Sequence, residues 1–476
     1  MRNINEKKTK LDFKKKVYML SLLVLLRLDK SVLSKKFLET LLDDEKNMNY
    51  HYQVWVNLSF YRGKDNLPIY DDFYSDYKKE FNRIADYFIS NLNLMNIGKR
   101  KEKNIAFVVH QLKVINHSAT KLILDYAKNL KKIYPKYNIK IFVEDVINYG
   151  EMNKILPFIY ESNHSSKFKD YHQQYIQGVD VEIYYSKKNV SRNERIKDLI
   201  KKIDNFAPNV IWSMREISLI PEILYDFYPV LYLSNGGNYT YNSADVYAVG
   251  DKNGFLKNNK KYKLLNPDEI YEFKAGIEFI ETDKNIDRVE YNISSNDFVL
   301  VTVGNRLDKE LDSDTRFIDS ICDILIKNEK IKWIIVGPKK LEYLQKNYNH
   351  LYGNSIIRIN YKEDLLALYK ICDVYINPDR NGGGYSIAMA MNEALPIVIF
   401  NRASDGINWV GKENGVDKMQ DYIQEIKKLF NNLDYRKEKG LSMKKRIQNN
   451  FSFENSIKEL KQLFEITKNN FLKRLN

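Results

Sequence analysis

One segment, residues 373–400, restricts the fold of this chain more than any other. It contains an apolar run, the loop NPDRNGGG, a stretch of small and apolar residues, and a second apolar run. Three consecutive glycines, Gly382, Gly383 and Gly384, permit a tight turn and leave the backbone open to close approach. The segment therefore predicts a strand, a glycine turn, a helix and a second strand. An ordinary strand-to-helix turn without a ligand is the alternative interpretation.

The start of the predicted helix suits an anion. The first-turn N–H groups of a helix have no intrahelical acceptors, and the peptide dipoles place about half a positive charge there. We expect Ser386 to cap this helix, and Tyr385 either to contact a ligand or to pack as an aromatic side chain. Phosphate groups bind well at such turns, and we infer a nucleoside diphosphate as the ligand.

A second glycine turn follows an earlier apolar run, in the sequence VTVGNRLDKE (301–310). Gly304 ends the predicted strand, and Arg306 is placed where its guanidinium can contact two phosphate oxygens. The alternative for Arg306 is a surface ion pair with Asp308 or Glu310. Asn305 either shapes the turn or contacts the ligand.

The surrounding chain alternates apolar runs with helical patterns, which predicts two α/β domains. Each is expected to be a Rossmann-like, doubly wound parallel sheet, with ligands bound beyond the carboxyl ends of the strands and with the two domains facing a cleft. The predicted boundaries are 1–100 for a mainly helical N-terminal extension, 101–255 for the first domain, 256–296 for a connection, 297–435 for the second domain and 436–476 for C-terminal helices.

Cysteine content and the N-terminus indicate where the protein resides. Cys322 and Cys372 lie in apolar helical patterns, which predicts buried free thiols and a reducing compartment. The run VYMLSLLVLL (17–26) resembles part of a signal peptide, but no small-residue cleavage site follows it. It is also shorter than the ~20 apolar residues that cross a bilayer. We expect a buried helix there and a cytoplasmic protein.

The net charge of +14 favours anionic partners. Nucleotide diphosphates, the inner face of an anionic membrane and nucleic acid all meet that description. No RNA-binding motif accompanies the lysines, so we expect no nucleic-acid partner. The extension 1–100 carries no catalytic motif, and an acceptor protein, a peripheral membrane contact or a second copy of the chain are the partners considered for it.

At this point a family resemblance is visible. Residues 299–410 resemble the donor-binding half of GT-B glycosyltransferases, in particular the bacterial family-4 type known as Glycosyl transferases group 1. The motif VTVGNRLDKE and the run EDLLALYKICDVYINPDRNGGGYSIAMAMNEALPIV (363–398) carry the resemblance. More weakly, residues 107–127 are similar to the first strand, loop and helix of the acceptor half. The resemblance implies that Arg306 binds the donor diphosphate, with Lys309 as a further cation.

The chain also departs from the family pattern. The two family glutamates fall on Asn381 and Met389, so neither carboxylate is present. The resemblance implies that Asn381 contacts the transferred sugar as an amide, whereas Met389 lacks an acceptor for ribose hydroxyls. Leu311 stands where the family has a basic residue. Neither glycine turn contains Asp-x-Asp, and a helix dipole with an arginine can supply the charge that a metal supplies elsewhere, so we expect no metal.

Candidate catalytic bases lie in the first domain. His117 follows the first predicted strand and precedes a helix, where a neutral imidazole can accept a proton from an acceptor hydroxyl. A helix-cap role for His117 is the alternative, and His110 and Glu216 are rival bases.

Together these features predict a hexosyltransferase that uses a nucleoside diphosphate sugar, expected to be a UDP-sugar, and a protein or glycan acceptor. The family resemblance favours retention of configuration. The alternative is a catalytically inactive GT-B-like binding or scaffold subunit that partners an active glycosyltransferase, because both glutamates are replaced.

Overall fold

The structure of the protein is a computed structural model. It describes residues 82, 84–90, 92, 94, 97–110, 112, 118–144, 174–176, 179–185, 190, 192–214, 218–234, 243–256, 265–278, 281–304, 306–338, 340–360, 362, 364–380 and 382–476. The chain divides into two compact units, the first formed by residues 1–272 with 460–476 and the second by residues 273–459.

The first unit is built on an eight-stranded sheet. Seven of its strands pair in parallel, and β3 pairs antiparallel with β4, in the order β3-β4-β2-β1-β5-β6-β7-β8. The strands are β1 (Asn104–Val109), β2 (Asn138–Val143), β3 (Gln174–Ile176), β4 (Val179–Tyr185), β5 (Val210–Met214), β6 (Val230–Leu233), β7 (Val246–Val249) and β8 (Ile270–Glu272). The helices between them are α1 (Ser118–Ile133), α2 (Arg192–Phe206) and α3 (Leu219–Ile223).

Burial on both faces explains the continuous apolar runs of this sheet. All six residues of β1 are buried. Trp212 on β5 is fully buried, with its ring 4.4 Å from the ring of Phe107 and 5.1 Å from that of Tyr126. Residues 84–90 are helical, and Ile84 and Phe88 belong to a hydrophobic cluster with Ala106 and Val108 of β1, so part of the N-terminal extension packs within this unit.

The second unit is built on a five-stranded, fully parallel sheet in the order β11-β10-β9-β12-β13. Its strands are β9 (Phe298–Val303), β10 (Ile331–Val336), β11 (Ile356–Ile359), β12 (Val374–Asn377) and β13 (Ile397–Ile399). Its helices are α4 (Leu307–Ser313), α5 (Thr315–Lys327), α6 (Glu342–Tyr348), α7 (Leu365–Tyr369), α8 (Gly384–Asn392), α9 (Ser404–Val410), α10 (Met419–Asn431) and α11 (Leu433–Asn450). The last helix, α12 (Phe453–Leu475), begins in the second unit and ends in the first.

A buried polar chain crosses the centre of the second sheet. The indole N–H of Trp333 on β10 donates to the Thr302 hydroxyl on β9 at 3.0 Å, and that hydroxyl donates to the Ile376 carbonyl on β12 at 2.9 Å. Each polar group in this series of hydrogen bonds has a partner. A buried group left without one would cost about 1–3 kcal/mol. The chain fixes β9 against its two neighbours.

The predicted fold class is confirmed, with two α/β units that each carry a doubly wound, Rossmann-like parallel sheet. Two elements were not indicated by the sequence pattern. Residues 307–313 form a helix, and β8 lies within the predicted connection 256–296. Strand β8 pairs in parallel with β7 and extends the first sheet to residue 272.

Both cysteines are free and buried, as predicted. Burial raises the pKa of the Cys322 thiol to about 12. Among the helices that the structure describes, none combines the length and apolarity needed to span a bilayer.

Candidate functional site

The two glycine turns are neighbours in the second unit. Strands β9 and β12 pair in parallel at the centre of the sheet, and the strand order reverses direction between them. Gly304 follows the end of β9, and the loop with Gly382 and Gly383 follows the end of β12. Crevices at such reversal points are where open parallel sheets bind ligands. The structure thus brings together two turns that lie far apart in sequence.

The second turn needs glycine for backbone reasons. Gly382 has φ +141° and Gly383 has φ +83°, values that side-chain-bearing residues rarely adopt. Gly383 is the N-cap residue of α8, which begins at Gly384. The prediction that Ser386 caps this helix was therefore wrong, because Ser386 is the third helical residue. Its carbonyl accepts a hydrogen bond from the Tyr369 hydroxyl at 3.1 Å.

A buried arginine lies beneath both turns. The Arg380 side chain is only 3% exposed. Its Nε donates to Asn377 Oδ1 at 3.0 Å and its Nη2 donates to the Val303 carbonyl at 2.7 Å. Its Nη1 donates to Glu310 Oε2 at 3.1 Å. One guanidinium therefore joins the ends of β9 and β12 to helix α4.

The glycines accommodate arginine side chains. A Cβ atom at Gly304 or at Gly383 would overlap the Arg380 guanidinium. A Cβ atom at Gly382 would lie 2.6 Å from Arg306 Nη2. The sequence led us to expect open backbone for a phosphate at these turns, whereas the space beside these three glycines is occupied by guanidinium groups. Packing around arginine is thus a second and independent reason for glycine here.

Arg306 lies at the surface of the same site. Its side chain is 67% exposed, and its Nε is 3.1 Å from Glu310 Oε1. The ion pair considered as an alternative for Arg306 is present, and the partner is Glu310. Because Glu310 also contacts Arg380, one carboxylate is shared by two guanidinium groups and the cluster carries one net positive charge. An arrangement with one exposed and one buried cation suits a phosphate-bearing ligand at the exposed one.

Other predicted positions lie near these turns. Tyr385 and Met389 on α8 are half-buried and pack against the hydrophobic core of the second unit. Leu311, where the family pattern has a basic residue, is fully buried in that core. The role of Tyr385 in ligand binding stays a prediction.

Several predicted residues lie outside the described part of the chain: His117, Asn305, Asn381 and Glu216. Lys309 belongs to α4, but its side chain is likewise outside that part. The proposed contacts of these residues remain predictions. His110 is described and is buried at the end of β1.

The first unit contains a buried carboxylate that the sequence analysis missed. Glu144 directly follows β2, and its oxygens accept hydrogen bonds from the Ser218 hydroxyl at 2.9 Å and from the Ile220 N–H at 2.8 Å. Complete burial raises the pKa of Glu144 to about 7, although these hydrogen bonds oppose that rise. An acidic residue directly after an apolar strand was the available signal. Glu144 holds the start of α3 at the carboxyl edge of the first sheet.

The second unit contains a region that matches a known protein family. Residues 297–432 match the family model described as Glycosyl transferases group 1. An uncharacterised glycosyltransferase of Methanocaldococcus jannaschii is 32% identical over 149 residues, which cover 29% of this chain. That alignment spans 37% of the length of the archaeal relative.

Solved structures resemble this chain over a greater length. The apo form of WaaB, a lipopolysaccharide outer core galactosyltransferase, has a TM-score of 0.52 at 11% identity, over 78% of this chain and 99% of that one. TarM has a TM-score of 0.53 at 11% identity, over 76% of this chain and 99% of that one. At this identity the likeness concerns the fold alone, that is, the presence of two Rossmann-like units as in GT-B structures. The C-terminal region of this chain therefore carries a group 1 glycosyltransferase domain.

Proposed function

We propose that this protein transfers a hexose-type sugar from a nucleoside diphosphate sugar, with UDP as the carrier, to a protein or glycan acceptor. The observation that carries the proposal is the position of Arg306. It lies against Gly382 at the point where the strand order reverses, within the region that matches the glycosyltransferase family.

The diphosphate is proposed to bind at the start of α8. The helix end supplies N–H donors and partial positive charge, and Arg306 supplies an exposed guanidinium beside Gly382. Arg306 and a phosphate oxygen form a charge-assisted pair once Arg306 leaves Glu310. Arg380 stays with Glu310, so the carboxylate is not left unpaired when Arg306 moves.

Transfer requires stabilisation of the departing diphosphate. As the bond from the anomeric carbon to the phosphate oxygen breaks, negative charge grows on that oxygen. Arg306 and the start of α8 are positioned to stabilise this charge, and the proposal requires no metal. We propose that Asn381 contacts the donor sugar, that Gly304, Asn305, Lys309, Tyr385 and Ser386 complete the donor site, and that His117 of the first unit serves the acceptor hydroxyl. Retention of configuration is the outcome that the family match favours.

A binding subunit without catalysis is the second candidate. The replacement of both family glutamates by Asn381 and Met389 supports it, as does the packing of Met389 against the core. Such a subunit would still bind nucleotide through Arg306, but it would release no diphosphate.

A panel of nucleotide sugars tests both candidates. We expect at least one UDP-sugar to stabilise the protein in thermal-shift assays and to yield free UDP with a protein or glycan acceptor. Arg306→Ala should lower UDP affinity about tenfold or more, since a charge-assisted hydrogen bond contributes about 1.5–3 kcal/mol. Arg316→Ala, at an exposed arginine on α5, is the matched control and should bind UDP normally. UDP binding without release from any donor would favour the inactive subunit, and no binding of any nucleotide diphosphate would refute both.

A further inference from the structure

One surface of the first unit concentrates positive charge at the amino-terminal edge of its sheet. Three segments meet there: residues 98–103 before β1, residues 131–137 at the end of α1 and before β2, and residues 461–475 of α12. We define the basic face by six of the cations that these segments carry: Lys99, Arg100, Lys101, Lys131, Lys136 and Lys461.

Contacts between the segments show that this surface is continuous. The Arg100 guanidinium lies 4.9 Å from the centre of the Phe471 ring, and the Lys461 ammonium lies 4.7 Å from that of Tyr134. Within the second segment, the Lys131 ammonium donates to the Tyr137 carbonyl at 2.7 Å. Each contact joins a cation to an aromatic residue or backbone group of the same edge, so the lysines and arginine are held on one side of the first unit.

The two acids within these three segments are already paired. Glu102 forms an ion pair with Lys103 at 2.7 Å, and Glu465 forms one with Lys468. Among the described residues, no ion pair neutralises any of the six cations that define the basic face. The surface therefore presents about six uncompensated positive charges.

Apolar side chains project beside the charges. On α12, Lys461, Lys468, Leu472 and Leu475 recur at helical spacing, which places them along one face of the helix. Leu472 is 46% exposed and Leu475 is 57% exposed. Lysines interspersed with protruding leucines are typical of surfaces that lie in the headgroup region of a membrane.

The aromatic residues decide between two kinds of anionic partner. Single-stranded nucleic acid binds where aromatic faces are open to stacking by bases. Here the Tyr137 and Phe471 rings are buried, and the half-buried Tyr134 ring lies against the Lys461 ammonium and the Tyr137 ring. The leucines, in contrast, have no role in contacting a phosphodiester backbone.

We propose that the first unit docks on an anionic bilayer through the basic face, with Leu472 and Leu475 entering the headgroup region. Each lysine or arginine near an anionic surface contributes about fivefold to the partition coefficient, so six are sufficient for reversible binding. This proposal concerns a surface separate from the nucleotide site and holds whether or not the protein transfers sugar.

Vesicle sedimentation with the whole 476-residue chain tests this proposal. We expect binding to phosphatidylcholine vesicles that contain about 30% phosphatidylglycerol, no binding to phosphatidylcholine alone, and weaker binding as salt rises because the charges are screened. Replacing Lys99, Lys136 and Lys461 with glutamate should lower the partition coefficient by about 100-fold or more. The control carries the same charge change at exposed lysines of the second unit, Lys427, Lys437 and Lys445, and should bind almost normally.

A second variant examines the leucines. Leu472→Ser with Leu475→Ser should lower binding about tenfold without altering its dependence on salt, because it removes apolar contact and no charge. Circular dichroism and the response to UDP check that each variant is folded. Three outcomes would each overturn the proposal. The two triple-lysine variants could lose binding equally, the protein could fail to bind anionic vesicles at low salt, or RNA at equal charge concentration could displace it from vesicles.

Discussion

Replacement of Arg380 is the sharpest test of how this site is held together. Its guanidinium donates to three acceptors on three elements: Asn377 Oδ1, the Val303 carbonyl and the Glu310 carboxylate. Methionine at this position keeps most of the side-chain length but donates no hydrogen bond. The variant Arg380→Met should therefore destabilise the second unit and loosen the turns at Gly304 and Gly383.

The size of the effect follows from what each acceptor loses. The Val303 carbonyl retains a hydrogen bond from the Tyr375 hydroxyl at 3.3 Å, and Glu310 is partly exposed and can be hydrated. Asn377 is fully buried, and its Oδ1 loses the bond from Arg380. Breaking one side of a buried pair costs about 3–5 kcal/mol, and the partial rehydration of Glu310 favours the lower end, about 3 kcal/mol.

Urea denaturation and UDP titration measure the two consequences. We expect a lower urea midpoint for Arg380→Met, together with UDP affinity at least tenfold weaker when measured where the variant is still folded. Arg402→Met is the matched control, because Arg402 is 53% exposed and pairs with Asp379, the neighbour of Arg380. An exposed pair of this kind contributes at most about 1 kcal/mol. Equal urea midpoints and equal UDP affinities for the two variants would refute the assignment of Arg380 as the residue that positions the turns.

Three further predictions concern other parts of the chain. Gly383→Ala should weaken UDP binding about tenfold, because the added Cβ displaces the buried Arg380 side chain. The control is Gly353→Ala, which has φ +81° and open space around it and should carry only a backbone strain of about 1 kcal/mol. Equal UDP affinities for the two variants would contradict this prediction. Burial raises the pKa of Glu144 to about 7, so between pH 5 and 7 the folded state keeps a proton that the unfolded chain has largely lost. The free energy of unfolding should then fall by up to about 3 kcal/mol as pH rises through this window. Urea titrations of Glu144→Gln should not show that fall. Parallel pH profiles for the original protein and the variant would count against this prediction. The thiols of Cys322 and Cys372 should not react with a disulfide reagent at pH 8 until urea unfolds the protein, since burial raises the pKa of both, and rapid labelling of the native protein would disprove it.

Local pattern was enough to predict the framework of the site. Apolar runs followed by Gly304 and by the glycine triplet predicted two strand-to-turn junctions, and the structure has both. The parallel sheet of such a domain brings the carboxyl ends of neighbouring strands to one edge. For that reason Arg306 and Gly382 are adjacent, although 76 positions separate them in the sequence.

The contacts inside the site could not be predicted from local sequence patterns. The bond from Arg380 to Val303 joins residues 77 positions apart, and no periodicity encodes which carbonyl a buried guanidinium will select. The position of Ser386 was wrong for a related reason, since a glycine with positive φ can itself serve as the N-cap and start the helix earlier. Short strands such as β8 also escape detection, because three residues show no usable alternation.

The shared carboxylate connects stability with ligand binding. Glu310 neutralises Arg380, which must stay charged in a buried position, and at the same time it holds the exposed Arg306 beside the glycine turn. A diphosphate must therefore compete with Glu310 for Arg306, and each contact that it gains there is offset by the loss of an existing ion pair. Because that pair is exposed on the Arg306 side, its loss costs little, whereas the pair on the buried side would cost several kcal/mol. The asymmetry makes Arg306 the mobile cation and Arg380 the fixed one, and it explains how one loop can hold glycines both for packing and for a proposed ligand.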